Sequence, residues 1–181
     1  MHTRSIDYLV SRLVAPPRQS ALQNSGTFFV ASVADEGFAT GLLGRLDLRG
    51  GALTLVNAGH VAPYLARAGA VTSIELPADL PLGLFSDADY RITDLRLQPG
   101  DRVVFITDGM LERNAAALDL IAEITQTRSL HPRETTRRLA DNVLAVTGPI
   151  LADDATLLVL DWHGDRRVRA GDRRADADGG A

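Results

Sequence analysis

Leu97-Gln98-Pro99-Gly100-Asp101-Arg102-Val103-Val104-Phe105-Ile106-Thr107-Asp108-Gly109-Met110 reads as a turn followed by a buried strand. Pro99-Gly100 sets the turn at Gln98 to Asp101. The run after it is too rich in β-branched and aromatic residues to alternate, which predicts a strand covered on both faces. That strand ends on a carboxylate. On rigid backbone at the rim of a core, Asp108 can hold a cation or a reacting group with little reorganisation. Gly109 lets the chain leave the strand sharply and brings backbone close to whatever Asp108 binds. The plainer alternative is that Asp108 caps a helix begun by Met110-Leu111-Glu112.

Leu151-Ala152-Asp153-Asp154-Ala155-Thr156-Leu157-Leu158-Val159-Leu160 places two adjacent acids immediately before another apolar strand. A fold that sets the two strands side by side brings Asp108 and Asp153 together. Paired carboxylates at such a junction suit a hard divalent cation, Mg²⁺ or Mn²⁺, because unscreened like charges raise each other's protonation. A solvated acidic turn is the competing reading.

The chain has 181 residues, which suits one compact domain able to bury a core. It has no cysteine, so disulfides, thiolate chemistry and Cys-based zinc sites are excluded. All 19 basic residues are arginine, which removes any lysine nucleophile or Schiff base. A net charge of −4 gives no general attraction to nucleic acid or anionic membrane. No apolar run reaches the length of a membrane span and no basic-then-apolar leader is visible, so the expected location is cytoplasmic.

Working outward from the central strand, Ile6, Leu9, Val10, Leu13 and Val14 fall at helical spacing before Pro16-Pro17 stop the pattern. Strands are expected at 27–33, 38–48 and 52–56, separated by Asp35-Glu36-Gly37 and Arg49-Gly50-Gly51; such short connections make an antiparallel meander. Asn57-Ala58-Gly59-His60 follows, with His60 read first as a turn former with a satisfied hydrogen bond. A hairpin around Ala68-Gly69, a packed loop over 77–85 and a strand over 90–97 lead back to the central stretch. Beyond it, helices are predicted over 116–127 and 132–146, the second with Leu139, Val143, Leu144 and Val146 as its buried stripe, then a strand over 156–162. The division expected is an amphipathic helix and proline stop over 1–20, a domain over 21–163 and a disordered Arg/Asp/Gly tail over 164–181.

Leu46-Asp47-Leu48, Asn57-Ala58-Gly59-His60, Leu80-Pro81-Leu82-Gly83, Pro99-Gly100-Asp101, Thr107-Asp108-Gly109 with Glu112, and Asp153-Asp154-Ala155-Thr156 occur in an order that resembles the SpoIIE-like branch of the metal-dependent PPM-type (type 2C) serine/threonine protein phosphatases. The similarity runs from about Phe38 to Trp162. It implies an α+β fold, a sandwich of antiparallel sheets flanked by helices, with a two-ion Mn²⁺ or Mg²⁺ centre between the sheets. It also implies a bacterial signalling enzyme that hydrolyses phosphoserine or phosphothreonine with a metal-activated water and no phosphoenzyme. The substrate implied is a phosphorylated regulatory protein of the anti-anti-sigma-factor type. By resemblance Asp108 and Asp153 are metal ligands, Asp154 supports them, Thr107 and Gly109 complete the Thr-Asp-Gly motif, and Asn57 and His60 shape a turn near the site.

One family motif has no counterpart in residues 1 to 37: an Asp-x-x-Gly-His-Gly segment whose aspartate bridges both ions. Asp35-Glu36-Gly37 is the nearest approach, but Phe38 follows where a helix should intervene, so Asp35 reads as a turn residue and only in the alternative as a ligand. Without the bridging carboxylate the remaining ligands would hold one ion or none. The fold is therefore expected to be partial, and three readings stay open: a fragment or remnant, a pseudophosphatase acting as a binding module, or completion by a second copy or another chain. A strand ending in Asp-Gly also suggests haloacid-dehalogenase-type phosphatases. Those need a second carboxylate where this chain has Met110, and usually a lysine.

Overall fold

The computed structural model describes residues 25–33, 38–85, 88–107, 109, 119–147 and 155–165. Among the described residues, eight strands make two four-stranded antiparallel sheets. The first has the order β1-β2-β3-β6, from β1 (Ser25–Val33), β2 (Ala39–Asp47), β3 (Ala52–Ala58) and β6 (Ile92–Arg96). The second has the order β5-β4-β7-β8, from β4 (Tyr64–Arg67), β5 (Ala70–Ser73), β7 (Asp101–Ile106) and β8 (Leu157–Trp162). Among the described residues, two helices, α1 (Leu120–Gln126) and α2 (Pro132–Thr147), lie between β7 and β8 in the chain. This is the α+β architecture expected from the motifs, and β1-β2-β3 is the antiparallel meander that the short turns require.

All six residues of β7 are buried, and the alternation of their side chains explains why the run is uniformly apolar from Val103 onward. Val103 and Phe105 face the first sheet, joining Leu42, Leu46, Leu53 and Leu55 in the core between the sheets. Val104 and Ile106 face the opposite way, onto Leu120 and Ile124 of α1 and Leu139 and Val143 of α2. Each fully buried side chain of this size contributes about 1.5–3 kcal/mol of transfer free energy. A strand covered on both sides can thus be antiparallel, given a helical layer on its outer face. On the first sheet's outer face, Leu43, Val56 and Ala58 are covered by Leu82 and Tyr90 from the segment between β5 and β6; of the loop expected to pack over 77–85, Leu82 is buried while Leu80, Leu84 and Phe85 are exposed.

The differences lie mainly at element ends. β3 runs two residues past Val56 because Asn57 still pairs with Leu42. Among the described residues α1 begins at Leu120, with Asp119 as its N-cap accepting from the Ala122 amide at 3.0 Å, a cap that a helix starting at 116 passes over. In α2, Leu139 and Val143 are buried but Leu144 is 40% exposed, and buried Thr135 takes part of the inward face instead. The N-terminal helix, Val146's packing and the tail beyond residue 165 lie outside what is described. No helix among the described residues is long and apolar enough to cross a membrane.

Candidate functional site

β7 and β8 pair antiparallel from Asp101↔Trp162 to Ile106↔Leu157, so the strand that ends in Thr-Asp-Gly lies beside the strand that begins after Asp-Asp-Ala-Thr. One residue beyond the ladder, the Thr107 amide donates to the Thr156 carbonyl at 3.1 Å, and the Thr156 amide donates to the Thr107 hydroxyl oxygen at 2.8 Å. The Thr107 side chain is buried, so its hydroxyl replaces water for a backbone donor that would otherwise be unsatisfied. The strand ends that adjoin the two acidic motifs in the sequence are therefore locked at backbone and side chain. Gly109 is buried. Asp35, Asp108, Asp153 and Asp154 lie outside the described residues.

The Asn57–His60 turn reaches the same end of the second sheet. β4 pairs with β7 through Tyr64↔Val104, and Val61, just before it, packs with Ile106. Asn57 closes the turn at both ends: its amide donates to the His60 carbonyl at 3.0 Å, and its side-chain oxygen accepts from the His60 amide at 2.7 Å. Gly59 has φ of +70°, and a Cβ there would come within 2.9 Å of Pro81 Cγ. Only glycine meets both demands without displacement. Pro81 is itself held in place, because neighbouring Leu82 exchanges two backbone hydrogen bonds with Ala39, at 2.9 and 2.7 Å. The Asn-Ala-Gly-His and Leu-Pro-Leu-Gly motifs are thus two halves of one packed unit. His60 is buried and its Nδ1 lies 3.1 Å from the Thr40 hydroxyl.

At the opposite end of β7, buried Asp101 accepts from Arg67 Nη2 at 2.6 Å and Arg67 Nε at 3.1 Å, and from the Gln98 amide at 2.7 Å. These hydrogen bonds to Asp101 raise the Arg67 guanidinium further above its ordinary value. Arg102, also buried, is a node that reading the stretch as an apolar strand passes over. Its Nε and Nη2 donate to Asp161 at 2.6 and 2.8 Å, Nη1 to the Thr127 carbonyl and the Thr135 hydroxyl, and Nη2 to the Leu130 carbonyl. The detectable signal is a charge in each of two apolar strands, at positions that the β7/β8 register makes direct partners.

Among the described residues no three His, Asp or Glu side chains converge as a metal site. Their carboxylates are largely committed elsewhere: Asp79 to Arg91, Asp101 to Arg67 and Asp161 to Arg102. Carboxylate oxygens are the donor type that Mg²⁺ and Mn²⁺ take.

Residues 10–163 match the family model described as Stage II sporulation protein E (SpoIIE). The chain belongs to the SpoIIE family. It is 21% identical over 144 residues to Stage II sporulation protein E of Bacillus subtilis (strain 168), which is 77% of this chain and 17% of that protein. The phosphatase domain of Bacillus subtilis SpoIIE, in a crystal form without domain swapping, superposes with a TM-score of 0.60 at 19% identity over 90% of this chain and 74% of that one. The RsbU and RsbW domains of Rv1364c from Mycobacterium tuberculosis give a TM-score of 0.61 at 26% identity, covering 77% of this chain and 45% of theirs. This SpoIIE-family chain therefore has a SpoIIE-like PPM (PP2C) phosphatase fold and covers a fifth or less of the full-length SpoIIE relative.

Proposed function

We propose that this SpoIIE-family chain is a metal-dependent protein serine/threonine phosphatase, acting on a phosphorylated regulatory protein of the anti-anti-sigma-factor type. The observation that carries the reading is the Thr107–Thr156 lock, which ties together the strand ends bearing Asp108 and Asp153. In this reading Asp108 and Asp153 hold Mn²⁺ or Mg²⁺ and Asp154 supports them. The ions would activate water and neutralise the phosphate oxygens. The protein's own part is placement: Thr107 fixes where Asp108 departs, and the Asn57–His60 turn stiffens the neighbouring rim. Support also comes from a structural neighbour described as the phosphatase domain of Bacillus subtilis SpoIIE, presoaked with Mn, and from the RsbU and RsbW domains of Rv1364c.

A second reading is a pseudophosphatase that docks such regulators without turnover. It is favoured by the sequence of residues 1 to 37, which contains no Asp-x-x-Gly-His-Gly segment to supply a bridging carboxylate. Calorimetric titration with Mn²⁺, combined with phosphopeptide hydrolysis, separates the two in the full chain and its Asp108→Asn variant. Metal binding with turnover, both lost in Asp108→Asn, is the result expected of the enzyme. A folded chain that neither binds Mn²⁺ nor releases phosphate would replace it with the binding module.

A further inference from the structure

About 20 Å from Thr107, at the other end of β7 by the rise of six strand residues, lies a cavity of about 490 Å³. It is bounded by the turn before β7, the α1–α2 connection and the end of β8. Its volume is in the range of small-molecule pockets. The acids on its wall are already neutralised, Asp101 by Arg67 and Asp161 by Arg102. What remains is Arg128 with two imidazoles, His131 and His163, all of which line it. The Arg128 guanidinium has no hydrogen bond or ion pair among the described residues. His131 Nδ1 accepts from the Arg133 amide at 3.3 Å, which leaves Nε2 as its other polar atom. The sixteen-residue α2 starts at this wall and adds the positive end of its dipole.

We infer that this cavity is a second ligand site, remote from the phosphatase site, for a small soluble molecule bearing a phosphate or diphosphate group. An arginine fork and two imidazoles around a pre-neutralised wall suit an oxyanion of two or more charges. A neutral or cationic ligand would leave Arg128 without a counter-charge. The buried Arg102 forms the floor as a fixed element, since its donors are already spent on Asp161, Thr127, Leu130 and Thr135.

Trp162 lines the cavity and is the chain's single tryptophan, so its fluorescence reports occupancy directly. The probe is inorganic pyrophosphate, titrated into the full chain at constant ionic strength with EDTA present, so that no metal centre contributes. A saturable change is expected. It should weaken about tenfold or more in Arg128→Ala, the loss of one charge-assisted contact, weaken less in Arg128→Lys, and persist in Asp108→Asn. Arg128 is exposed, so its replacement leaves the fold intact. A linear response, equal affinity in Arg128→Ala, loss of binding in Asp108→Asn, or a response to phosphatidylglycerol vesicles without one to pyrophosphate would overturn the assignment.

Discussion

Replacing Arg102 by alanine should be among the most damaging single changes in the described part of the chain. The guanidinium is 4% exposed and satisfies one carboxylate on β8, two backbone carbonyls of the α1–α2 connection and one hydroxyl on α2. Removing it strands Asp161 beside the core, and breaking a buried pair in this way costs about 3–5 kcal/mol. Asp161 is 16% exposed and can recruit some water, which pulls the figure down. The part-buried Leu130 carbonyl loses its Arg102 donor and adds part of the roughly 1–3 kcal/mol for an orphaned polar group, whereas the Thr127 carbonyl keeps the Leu130 amide and the Thr135 hydroxyl. About 4 kcal/mol is the balance, a large share of a typical stability of about 5–15 kcal/mol. For a domain of this size it lowers Tm by about 8–16 °C. Urea titration followed by Trp162 fluorescence and far-UV circular dichroism measures it. The double variant Arg102→Met with Asp161→Leu should recover at least a third of the loss, because no charge is then left unpaired. A cost below about 1 kcal/mol for Arg102→Ala would refute the account, since that is the range of an exposed pair.

Gly59→Ala should cost about 1–3 kcal/mol, from left-handed backbone and the close approach to Pro81, with partial relief in the Pro81→Ala background, by the same denaturation assay. Thr107→Val keeps the shape but removes the acceptor for the Thr156 amide; a loss of about 1–2 kcal/mol and faster hydrogen exchange at Thr156 are expected, and unchanged exchange there would sink the idea of a lock. Tyr90 is buried, its hydroxyl has no partner among the described residues, and burial, then the Asp79 charge, raises its pKa above the ordinary 10.0. The neutral phenol is therefore favoured in the fold, so its contribution is complete below pH 10 and is lost as pH rises through the raised value. Tyr90→Phe should be neutral or stabilising at pH 7 and should flatten the alkaline limb of the stability profile.

The two-faced burial of β7 was legible because apolar content follows burial directly. Its antiparallel pairing was legible because turns of a few residues cannot make parallel crossovers. Element ends were less so. Whether Asn57 continues β3 depends on Leu42 across the ladder, and whether α1 starts at 116 or 120 depends on Asp119 serving as a cap instead of a surface acid. Local pattern contains neither partner. Leu144 and Thr135 exchange roles in α2 for a similar reason: Arg102 reaches up from the sheet and makes a hydroxyl worth burying on the helix's inner face.

At the candidate site, the motifs were legible as motifs, while the reason for their non-acidic members was not. Thr107 looks interchangeable with valine at the end of such a strand until its hydroxyl is seen accepting the Thr156 amide 49 residues away. Asn57 and Gly59 look like ordinary turn formers until Asn57 is seen tying both ends of the turn and Pro81 is seen filling the space a side chain would need. These residues carry no charge to a substrate or metal. They determine where the flanking backbone can go, and a carboxylate placed on backbone fixed at both neighbours loses little freedom when it binds. The same reasoning separates the two ends of β7. At one end Thr107 is tied to Thr156; at the other, Asp101 and Arg102 are spent on partners, so any ligand there must be met by Arg128 and the two histidines around them.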